Sequence, residues 1–330
     1  MSNTNHHIPE LVAELKRGSR RALARAISLV ESSAPNDVLA AAELMEHVGS
    51  SVVPTRRIGV TGSPGVGKST LLEALGMHLI ARGEKVAVLA IDPSSKRSGG
   101  SILGDKVRMP RLSQSDSAFV RPSPSKNILG GAAAHTRDSI TLCEVAGYST
   151  VIVETVGVGQ SETQVSELVD MFVLLLLPTA GDDVQGMKRG IMEQAHMILL
   201  TKADIDTSAT NAALATFRSV VRLVLPPRKS MPVLVLPVSA TTQVGLDEVV
   251  QAIDTFFLPE HWSETRLLRK QQLGAWFDSE VQRSILNFFD GNQQFAEVRD
   301  SLKRKVMAGS VSAGSALREL YASLPHTIRG

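Results

Sequence analysis

Short, nearly continuous apolar runs recur through the middle of this 330-residue chain, and longer stretches with apolar residues at helical spacing separate them. Such runs are typical of strands that are buried on both faces of a parallel sheet, which helices then cover. The predicted strands are 58–61, 86–91, 150–154, 171–177, 197–201 and 233–238. The pattern therefore predicts an α/β fold with a mostly parallel central sheet flanked by helices.

Both ends of the chain lack strand-like runs and carry apolar residues at helical spacing instead. We expect an N-terminal helical region over 1–53, the sheet domain over 54–260 and a C-terminal helical arm over 261–330. In the arm, the recurring apolar positions are Leu273, Phe277, Val281, Ile285 and Phe288. This stripe needs a cover, either the chain's own core, which is the commoner outcome, or a second subunit. The nearby Arg266, Arg269 and Lys270 are expected to form a solvated helix face.

Composition excludes several classes of protein. Hydrophobic residues make up 43% of the chain, and the net charge of +2 is too small for the field of a nucleic-acid-binding protein. Cys143 is the only cysteine, which excludes an intrachain disulfide and suits a reducing compartment. The apolar run at 171–178 is far below the roughly 20 residues of a membrane span, and residues 1–10 lack an apolar signal core. We expect a soluble cytoplasmic protein that binds neither nucleic acid nor membrane.

The segment from Gly62 to Ser69 reads GSPGVGKS and fits the phosphate-binding pattern G-x-x-x-x-G-K-[ST] between a predicted strand and a helical run. Its glycines allow consecutive backbone N–H groups to turn toward one oxyanion at the positive end of the following helix. Lys68 would reach the β- and γ-phosphates, and the Ser69 hydroxyl would bind Mg²⁺. The predicted nucleotide contacts here are Gly62, Ser63, Pro64, Gly65, Val66, Gly67, Lys68, Ser69 and Thr70.

Two segments that follow later strands are placed to read a guanine base. The predicted base contacts are Thr201, Lys202, Asp204, Ser239, Ala240 and Thr241. The Asp204 carboxylate only accepts hydrogen bonds, so it suits the N1–H and N2 amine of guanine and would stay unpaired against adenine. Lys202 would cover the base plane, and a backbone N–H of Ser239 or Ala240 would bond O6. Thr201 stands where an asparagine is usual, which removes an amide tie; a surface lysine and aspartate at a strand end is the alternative.

Two carboxylates end predicted strands at the same sheet edge, Asp92 after the second and Glu154 after the third. Both can serve a Mg²⁺ ion through water while Ser69 and phosphate oxygens bind it directly. Gly157 can offer a backbone N–H to the γ-phosphate and lose that bond on hydrolysis. A switch driven by hydrolysis is therefore expected.

Val158 stands where many GTPases place the glutamine that orients the attacking water. Because valine cannot orient water, we expect a weak intrinsic rate of hydrolysis. The missing polar group would come from Gln160, Asp105, Lys188 or a partner protein.

Four motifs together resemble one family of GTPases. They are VLAIDPSS at 88–95, GGSILGDK at 99–106, RPSPS at 121–125 and ETVGVGQSE at 154–162. The chain resembles the MeaB/ArgK family, the G-protein metallochaperones of adenosylcobalamin-dependent acyl-CoA mutases such as methylmalonyl-CoA mutase. The resemblance covers nearly the whole chain and is strongest from about 58 to 204.

The resemblance implies a P-loop GTPase domain over 54–260 and a dimerisation arm over 261–330. It implies a homodimer that docks on the mutase, gates delivery of the intact cofactor and helps remove damaged cofactor. Asp92, Asp105 and Glu154 match the family's Mg²⁺ and switch positions, and Lys188 ends the 181–188 segment, which resembles an additional switch. The residues expected to serve hydrolysis are Lys68, Asp105, Glu154, Gln160 and Lys188.

Two other interpretations use the same loop and sheet. One is an ATP- or GTP-dependent kinase of the amino-acid transport type, a label that relatives have carried, although no acceptor pocket is recognisable. The other is a metal-insertion GTPase for nickel enzymes, which the single cysteine and the scattered histidines disfavour.

Overall fold

The computed structural model describes residues 7–49, 54–92, 109–124, 131–155, 165–179, 189–224 and 232–323. The chain divides into two compact units, Met1–Lys270 and Gln271–Gly330. The domain limits expected from the sequence, after residues 53 and 260, stay a prediction. Among the helices in these ranges, none combines the length and the hydropathy that crossing a bilayer requires.

The first unit is built on a parallel β-sheet. Its strands within the described ranges are β1 (Arg56–Gly62), β2 (Val86–Asp92), β3 (Ala118–Pro124), β4 (Thr150–Thr155), β5 (Met171–Leu176), β6 (Met197–Leu200) and β7 (Leu234–Pro237). Their order across the sheet is β3-β2-β4-β1-β5-β6-β7, and every neighbouring pair is parallel. The predicted α/β class with a parallel central sheet is confirmed.

Helices lie on both faces of this sheet and at both ends of the part of the chain that the structure describes. They are α1 (Ile8–Lys16), α2 (Arg20–Val30), α3 (Pro35–Val48), α4 (Lys68–Ala81), α5 (Pro110–Gln114), α6 (Gly131–Val145), α7 (Arg189–Gln194), α8 (Thr207–Val224), α9 (Leu246–Phe256), α10 (Trp262–Gly291), α11 (Gln293–Met307) and α12 (Ala313–Ala322). A 3₁₀ turn, Pro259–His261, precedes α10.

Alternate residues of each central strand point into two different cores. On β5, Phe172 and Leu174 join the core that contains α1, α2, α6 and α8, whereas Val173 and Leu175 join the core that contains α4 and α9. Successive side chains of a strand face opposite ways, so a strand covered on both sides must be apolar at every position. This is the physical reason why the apolar runs predicted the strands.

Strand β3 was not among the predicted strands. It lies at the edge of the sheet and pairs with β2 from Val86↔Ala118 to Asp92↔Pro124. Pro122 and Pro124 interrupt its apolar pattern, and proline lacks the backbone N–H that a central strand needs on both sides. An edge strand tolerates proline because one of its sides has no ladder to complete.

The three N-terminal helices pack on one another and against α6. Their buried residues Leu15, Leu23 and Ile27 share a core with Val151 of β4, so this helical layer covers one face of the sheet. Ser19 caps α2 by accepting a hydrogen bond from the Ala22 N–H at 3.2 Å. The predicted helical character of the N-terminal region is confirmed.

Two ion pairs with buried carboxylates join the amino ends of β1 and β5 to α6 and α10. Arg57 Nε and Nη2 donate to the two Glu144 carboxylate oxygens at 2.7 and 2.9 Å. Arg269 Nε and Nη2 donate to the two Asp170 oxygens at 2.8 and 2.6 Å, and Arg269 also donates to the Thr55 carbonyl. Both pairs have the bidentate geometry that makes arginine–carboxylate contacts strong.

The expected solvated face on α10 is therefore wrong for Arg269, although Arg266 and Lys270 are exposed. Burial alone would lower the pKa of Arg269, but the hydrogen bond and charge of Asp170 outweigh it and raise the pKa of this guanidinium. Arg269 therefore stays charged and fixes the first turns of α10 to the sheet.

The second unit contains most of α10 followed by the α11–α12 hairpin, in which Leu302 and Ala316 are buried. Asn292 and Ser312 cap α11 and α12 by accepting hydrogen bonds from Phe295 N–H and Ser315 N–H. The recurring apolar residues of α10 are 40% to 65% exposed within the described chain, and we call them the α10 stripe. Its members are Leu273, Phe277, Val281, Ile285 and Phe288.

Candidate nucleotide-binding site

The candidate site lies at the carboxyl edge of the sheet, where β1 ends and α4 begins. Strand β1 is central, with β4 on one side and β5 on the other. The chain first builds β2, β3 and β4 on one side of β1 and then moves across to build β5, β6 and β7. Open α/β sheets bind ligands in the crevice at such a reversal of strand order.

The predicted phosphate loop forms the turn between β1 and α4. Ser63, Pro64, Gly65, Val66 and Gly67 connect the two elements, and Lys68, Ser69 and Thr70 form the first turn of the helix. The backbone N–H groups of this first helical turn have no partner within the helix and lie at its positive end. The turn therefore has the features of an anion-binding site.

Two glycines show why the loop has its composition. A Cβ on Gly62 would lie 2.6 Å from the Leu175 carbonyl oxygen of β5, closer than real Cβ atoms approach. Gly67 has a φ of +94°, which L side chains rarely adopt, and it is the N-cap of α4. Both positions require glycine because of the neighbouring strand and the sharp entry into the helix.

Lys68 is buried with its ammonium group inside the loop. Nζ donates to the Gly62 carbonyl at 2.6 Å and to the Ser63 carbonyl at 3.1 Å. These two bonds place a positive charge beside the first-turn N–H groups of α4. The loop thus concentrates hydrogen-bond donors and positive charge at one point, as a phosphate group requires.

A hydroxyl and a carboxylate meet next to this loop. Ser69 Oγ donates to Glu154 Oε1 at 3.2 Å, and Glu154 is a buried residue of β4. The oxygens are of the kind that Mg²⁺ prefers, so these two residues fit a Mg²⁺ site. Asp92 is the last residue of β2, whose Ala90 pairs with Glu154, so its backbone reaches the same edge.

The sequence prediction missed a second polar contact at this edge. Thr61 Oγ1 and Thr155 Oγ1 are 2.8 Å apart and join the ends of β1 and β4. Both threonines are buried. The only sequence signal for this contact is that each threonine stands near the end of a strand. This bond holds the strand that carries Glu154 beside the strand that leads into the phosphate loop.

The Thr201–Asp204 segment follows β6 and lies beside the phosphate loop. The Lys202 Cε is 3.9 Å from where a Cβ on Gly67 would be, so the lysine stem passes over the loop. Lys202 has a φ of +55°, and the Ala203 N–H donates to the Val238 carbonyl at 3.2 Å. Asp204 is exposed at this edge, as a group that contacts a ligand should be.

Thr201 forms a hydrogen bond to the phosphate loop. Its buried Oγ1 donates to the Val66 carbonyl at 2.7 Å and lies 3.2 Å from the Leu176 carbonyl. The amide is absent, as the sequence shows, but the threonine hydroxyl makes a hydrogen bond to the loop in its place. This side chain therefore connects the Thr201–Asp204 segment to the phosphate loop.

The segment after β7 is only partly available for base recognition. The Ser239 N–H donates to the Val244 carbonyl at 2.9 Å, and the Ser239 Oγ accepts from the Thr242 N–H at 3.1 Å. Of the two N–H groups expected to bond guanine O6, that of Ser239 is used by the turn itself, which leaves that of Ala240. Ala240 and Thr241 lie at the tip of the same turn and remain the candidates.

Four predicted site residues lie outside the described residues: Asp105, Gly157, Gln160 and Lys188. Val158, which prompted the expectation of weak hydrolysis, lies outside them too. The roles expected for these residues stay predictions. The structure brings the others together at one edge: a donor-rich loop, an oxygen pair that suits Mg²⁺, and an exposed carboxylate.

Comparison with known proteins identifies a family. The family model described as "Methylmalonyl Co-A mutase-associated GTPase MeaB" matches residues 23–294. GTPase ArgK of Escherichia coli (strain K12) is 42% identical over 316 residues, which cover 95% of each chain. The mouse protein "Methylmalonic aciduria type A homolog, mitochondrial" is 37% identical over 324 residues, covering 94% of this chain and 77% of that protein.

A solved structure has the same fold over nearly its whole length. The crystal structure of a protein described as "LAO/AO transport system kinase" superposes with a TM-score of 0.77 at 34% sequence identity. The match covers 97% of this chain and 98% of that chain. Sequence and fold therefore point to the same group of proteins.

Proposed function

Because the chain belongs to the MeaB family of methylmalonyl-CoA mutase-associated GTPases, we propose that it is a GTP-hydrolysing metallochaperone for an adenosylcobalamin-dependent acyl-CoA mutase. It would bind a mutase of the methylmalonyl-CoA mutase type, gate the loading of its cofactor, and protect or reactivate it. The observation that carries this proposal is the family match over 23–294, which spans the whole candidate site. Cytoplasmic location, expected from the single cysteine, belongs to the same proposal.

As a P-loop GTPase, the protein binds GTP and GDP and hydrolyses GTP. We infer that the phosphates lie in the turn before α4, where Lys68 and the first-turn N–H groups of the helix hold their oxygens. Ser69 and Glu154 would hold Mg²⁺, with Asp92 and Asp105 acting through water. The ion, when bound, neutralises charge that develops on the β- and γ-phosphate oxygens.

Base recognition falls to the segment after β6. The Asp204 carboxylate would accept hydrogen bonds from guanine N1–H and the N2 amine, and the Lys202 stem would cover one face of the ring. The Ala240 or Thr241 N–H would donate to O6. Adenine has an acceptor at N1 and no amine at C2, so Asp204 would find no donor there.

The coupling to the mutase would run through the segment that directly follows β4. Glu154, near the end of β4, accepts a hydrogen bond from the Ser69 hydroxyl. A Mg²⁺ ion held by these two residues would therefore connect the bound phosphates to this strand end. We propose that the Gly157 N–H bonds the γ-phosphate and releases it after hydrolysis. Gln160 and Lys188 would supply polar groups that Val158 cannot, with Lys188 responding to the bound mutase.

Addition of the matching mutase is expected to raise GTP turnover. Groups supplied by a partner are worth roughly 10³–10⁵ in rate in other GTPases, so even partial completion gives an increase of about tenfold or more. Phosphate release is measured with the purified protein alone, with each adenosylcobalamin-dependent acyl-CoA mutase of the source organism, and with serum albumin as the control. Equal rates in the presence of every such mutase would contradict the chaperone function.

We also propose that the protein is a homodimer joined through the α10 stripe. Five large apolar residues spaced along one helix and exposed by 40% or more form a continuous apolar face, which single soluble chains rarely leave open. A second copy would bury the face against its own stripe in a symmetric contact.

Substitution within the stripe is expected to yield monomers. The double variant Phe277→Asp and Ile285→Asp places charges in the proposed contact, while Ser279→Asp places one on the opposite side of α10. Light scattering should give twice the chain mass of 35.4 kDa for the natural protein and for Ser279→Asp, and 35.4 kDa for the double variant. A double variant that stays dimeric would place the contact elsewhere.

A kinase of the amino-acid transport type is the alternative function, because the superposed crystal structure is described as that of a transport system kinase. The two functions differ in the fate of the γ-phosphate. With γ-labelled GTP or ATP, a GTPase releases the label as inorganic phosphate, whereas a kinase transfers it to a protein or an amino acid. Stable transfer of label at the rate of nucleotide consumption would favour the kinase.

A further inference from the structure

Thr201 occupies the contact between the phosphate loop and the base-reading segment. Its side chain is 4% exposed, and its Oγ1 lies 2.7 Å from the Val66 carbonyl oxygen. The Thr201 N–H is also used, because it donates to the Leu176 carbonyl at 2.9 Å. The residue is thus bonded to the loop on one side and to β5 on the other.

The chemistry of a hydroxyl limits what this position can do. A threonine side chain has one hydrogen to donate, whereas an asparagine amide has two. The short distance to Val66 assigns that hydrogen to the loop carbonyl, with Leu176 at 3.2 Å as a weaker second acceptor. No hydrogen remains on this side chain for a ring nitrogen of the base.

In the proposed binding mode, the position would nevertheless lie near the base. Because Thr201 is three residues before Asp204 and contacts the loop, it would face the side of the ring that is turned toward the phosphates. In a nucleotide with the base in the anti conformation, that side carries N7, which is an acceptor. An amide at this position would tie the loop with one N–H and reach N7 with the other.

We infer that Thr201 is a positioning residue that holds the phosphate loop and reads no atom of the base. This inference rests on the proposed use of the site for guanine nucleotides. Discrimination of the base is then confined to the edge that carries O6, N1–H and the N2 amine, where Asp204 is the only side chain proposed to read it. The N7 edge contributes nothing through this residue.

Binding of GDP and of 7-deaza-GDP, in which a C–H group replaces N7, tests this inference by calorimetry. The natural protein is expected to bind the two nucleotides within about twofold of each other. The Thr201→Asn variant keeps the tie and adds a donor, so it should bind GDP about tenfold more tightly than 7-deaza-GDP, as for one typical hydrogen bond.

The role in positioning is tested by removing the hydroxyl. Thr201→Val is close in shape but leaves the Val66 carbonyl without its donor, so both nucleotides should bind about tenfold more weakly. Thr201→Ser retains the hydroxyl and should bind both within about threefold of the natural protein. Thr265→Val is the matched control: it removes another buried hydroxyl, which bonds the His261 carbonyl at 3.3 Å on α10, and should not change binding.

Three results would overturn the inference. One is a preference of the natural protein for GDP over 7-deaza-GDP of tenfold or more, since a donor would then read N7. Another is unchanged binding by Thr201→Val when its circular dichroism matches the natural protein, and the third is weak binding by a folded Thr201→Ser. Absence of any guanine-nucleotide binding by the natural protein would instead contradict the proposed function, so the two failures are distinguishable.

Discussion

Replacing Lys68 by alanine is expected to reduce GTP hydrolysis by about 10²–10³-fold or more. The Lys68 ammonium lies inside the loop on two carbonyl oxygens, 2.6 Å from Gly62 O and 3.1 Å from Ser63 O. Charge-assisted hydrogen bonds from this group to phosphate oxygens strengthen as negative charge develops during transfer. Alanine removes the charge and also leaves two buried carbonyls without their donor.

The measurement is phosphate release at saturating GTP together with GTP affinity by calorimetry. Lys85→Ala is the matched control, because Lys85 is exposed at the opposite, amino end of the sheet and precedes β2. Circular dichroism of the Lys68→Ala variant separates loss of the charge from loss of the fold. Retained turnover in folded Lys68→Ala would show that the nucleotide does not use this loop.

Replacing Asp204 by asparagine is expected to change the preferred base from guanine to xanthine. Guanine has an amine at C2, which needs an acceptor, whereas xanthine has a carbonyl there, which needs a donor. Asparagine offers an amide donor where aspartate offers only acceptors. With GTP, the bond from the N2 amine is lost and the bond from N1–H no longer goes to a charged group; bonds to the carboxylate are worth about 1.5–3 kcal/mol each, so GTP affinity should fall by about 10²-fold or more.

The comparison is GTP against XTP turnover, for the natural protein and for two variants of one loop. Asp206→Asn is the control, because Asp206 caps α8 through the Ala209 N–H at 2.9 Å and asparagine can also cap. The control should keep the preference for GTP. An Asp204→Asn variant that still prefers GTP by the natural ratio would remove Asp204 from base recognition.

Local patterns predicted the parts of this molecule that depend on local physics. The central strands followed from continuous apolar runs, because both their faces are covered. The turn from Gly62 to Ser69 followed from its spacing, because a phosphate loop is closed by consecutive residues. Strand β3 was not predicted, because Pro122 and Pro124 interrupt the continuous apolar run on which the prediction of a strand depends.

Contacts between distant residues could not be predicted in the same way. Arg269 and Asp170 are 99 residues apart, and a charged residue on an amphipathic helix is usually solvated. Thr201 and Val66 are 135 residues apart, so the identity of residue 201 showed only that an amide was absent. The use of the Ser239 N–H by Val244 depends on how the turn closes, which the residue types do not determine.

The strand order also determines when the nucleotide cleft can exist during synthesis of the chain. The phosphate loop leaves the ribosome early, but its strand β1 pairs with β4 and β5, as in Ile58↔Ile152 and Ile58↔Met171. The tie from Thr201 to Val66 forms later still. A nascent chain that ends before β6 therefore has the strands that flank the phosphate loop but lacks the Thr201 bond and the segment after β6, so we expect GTP to stabilise the fold once β6 has been made.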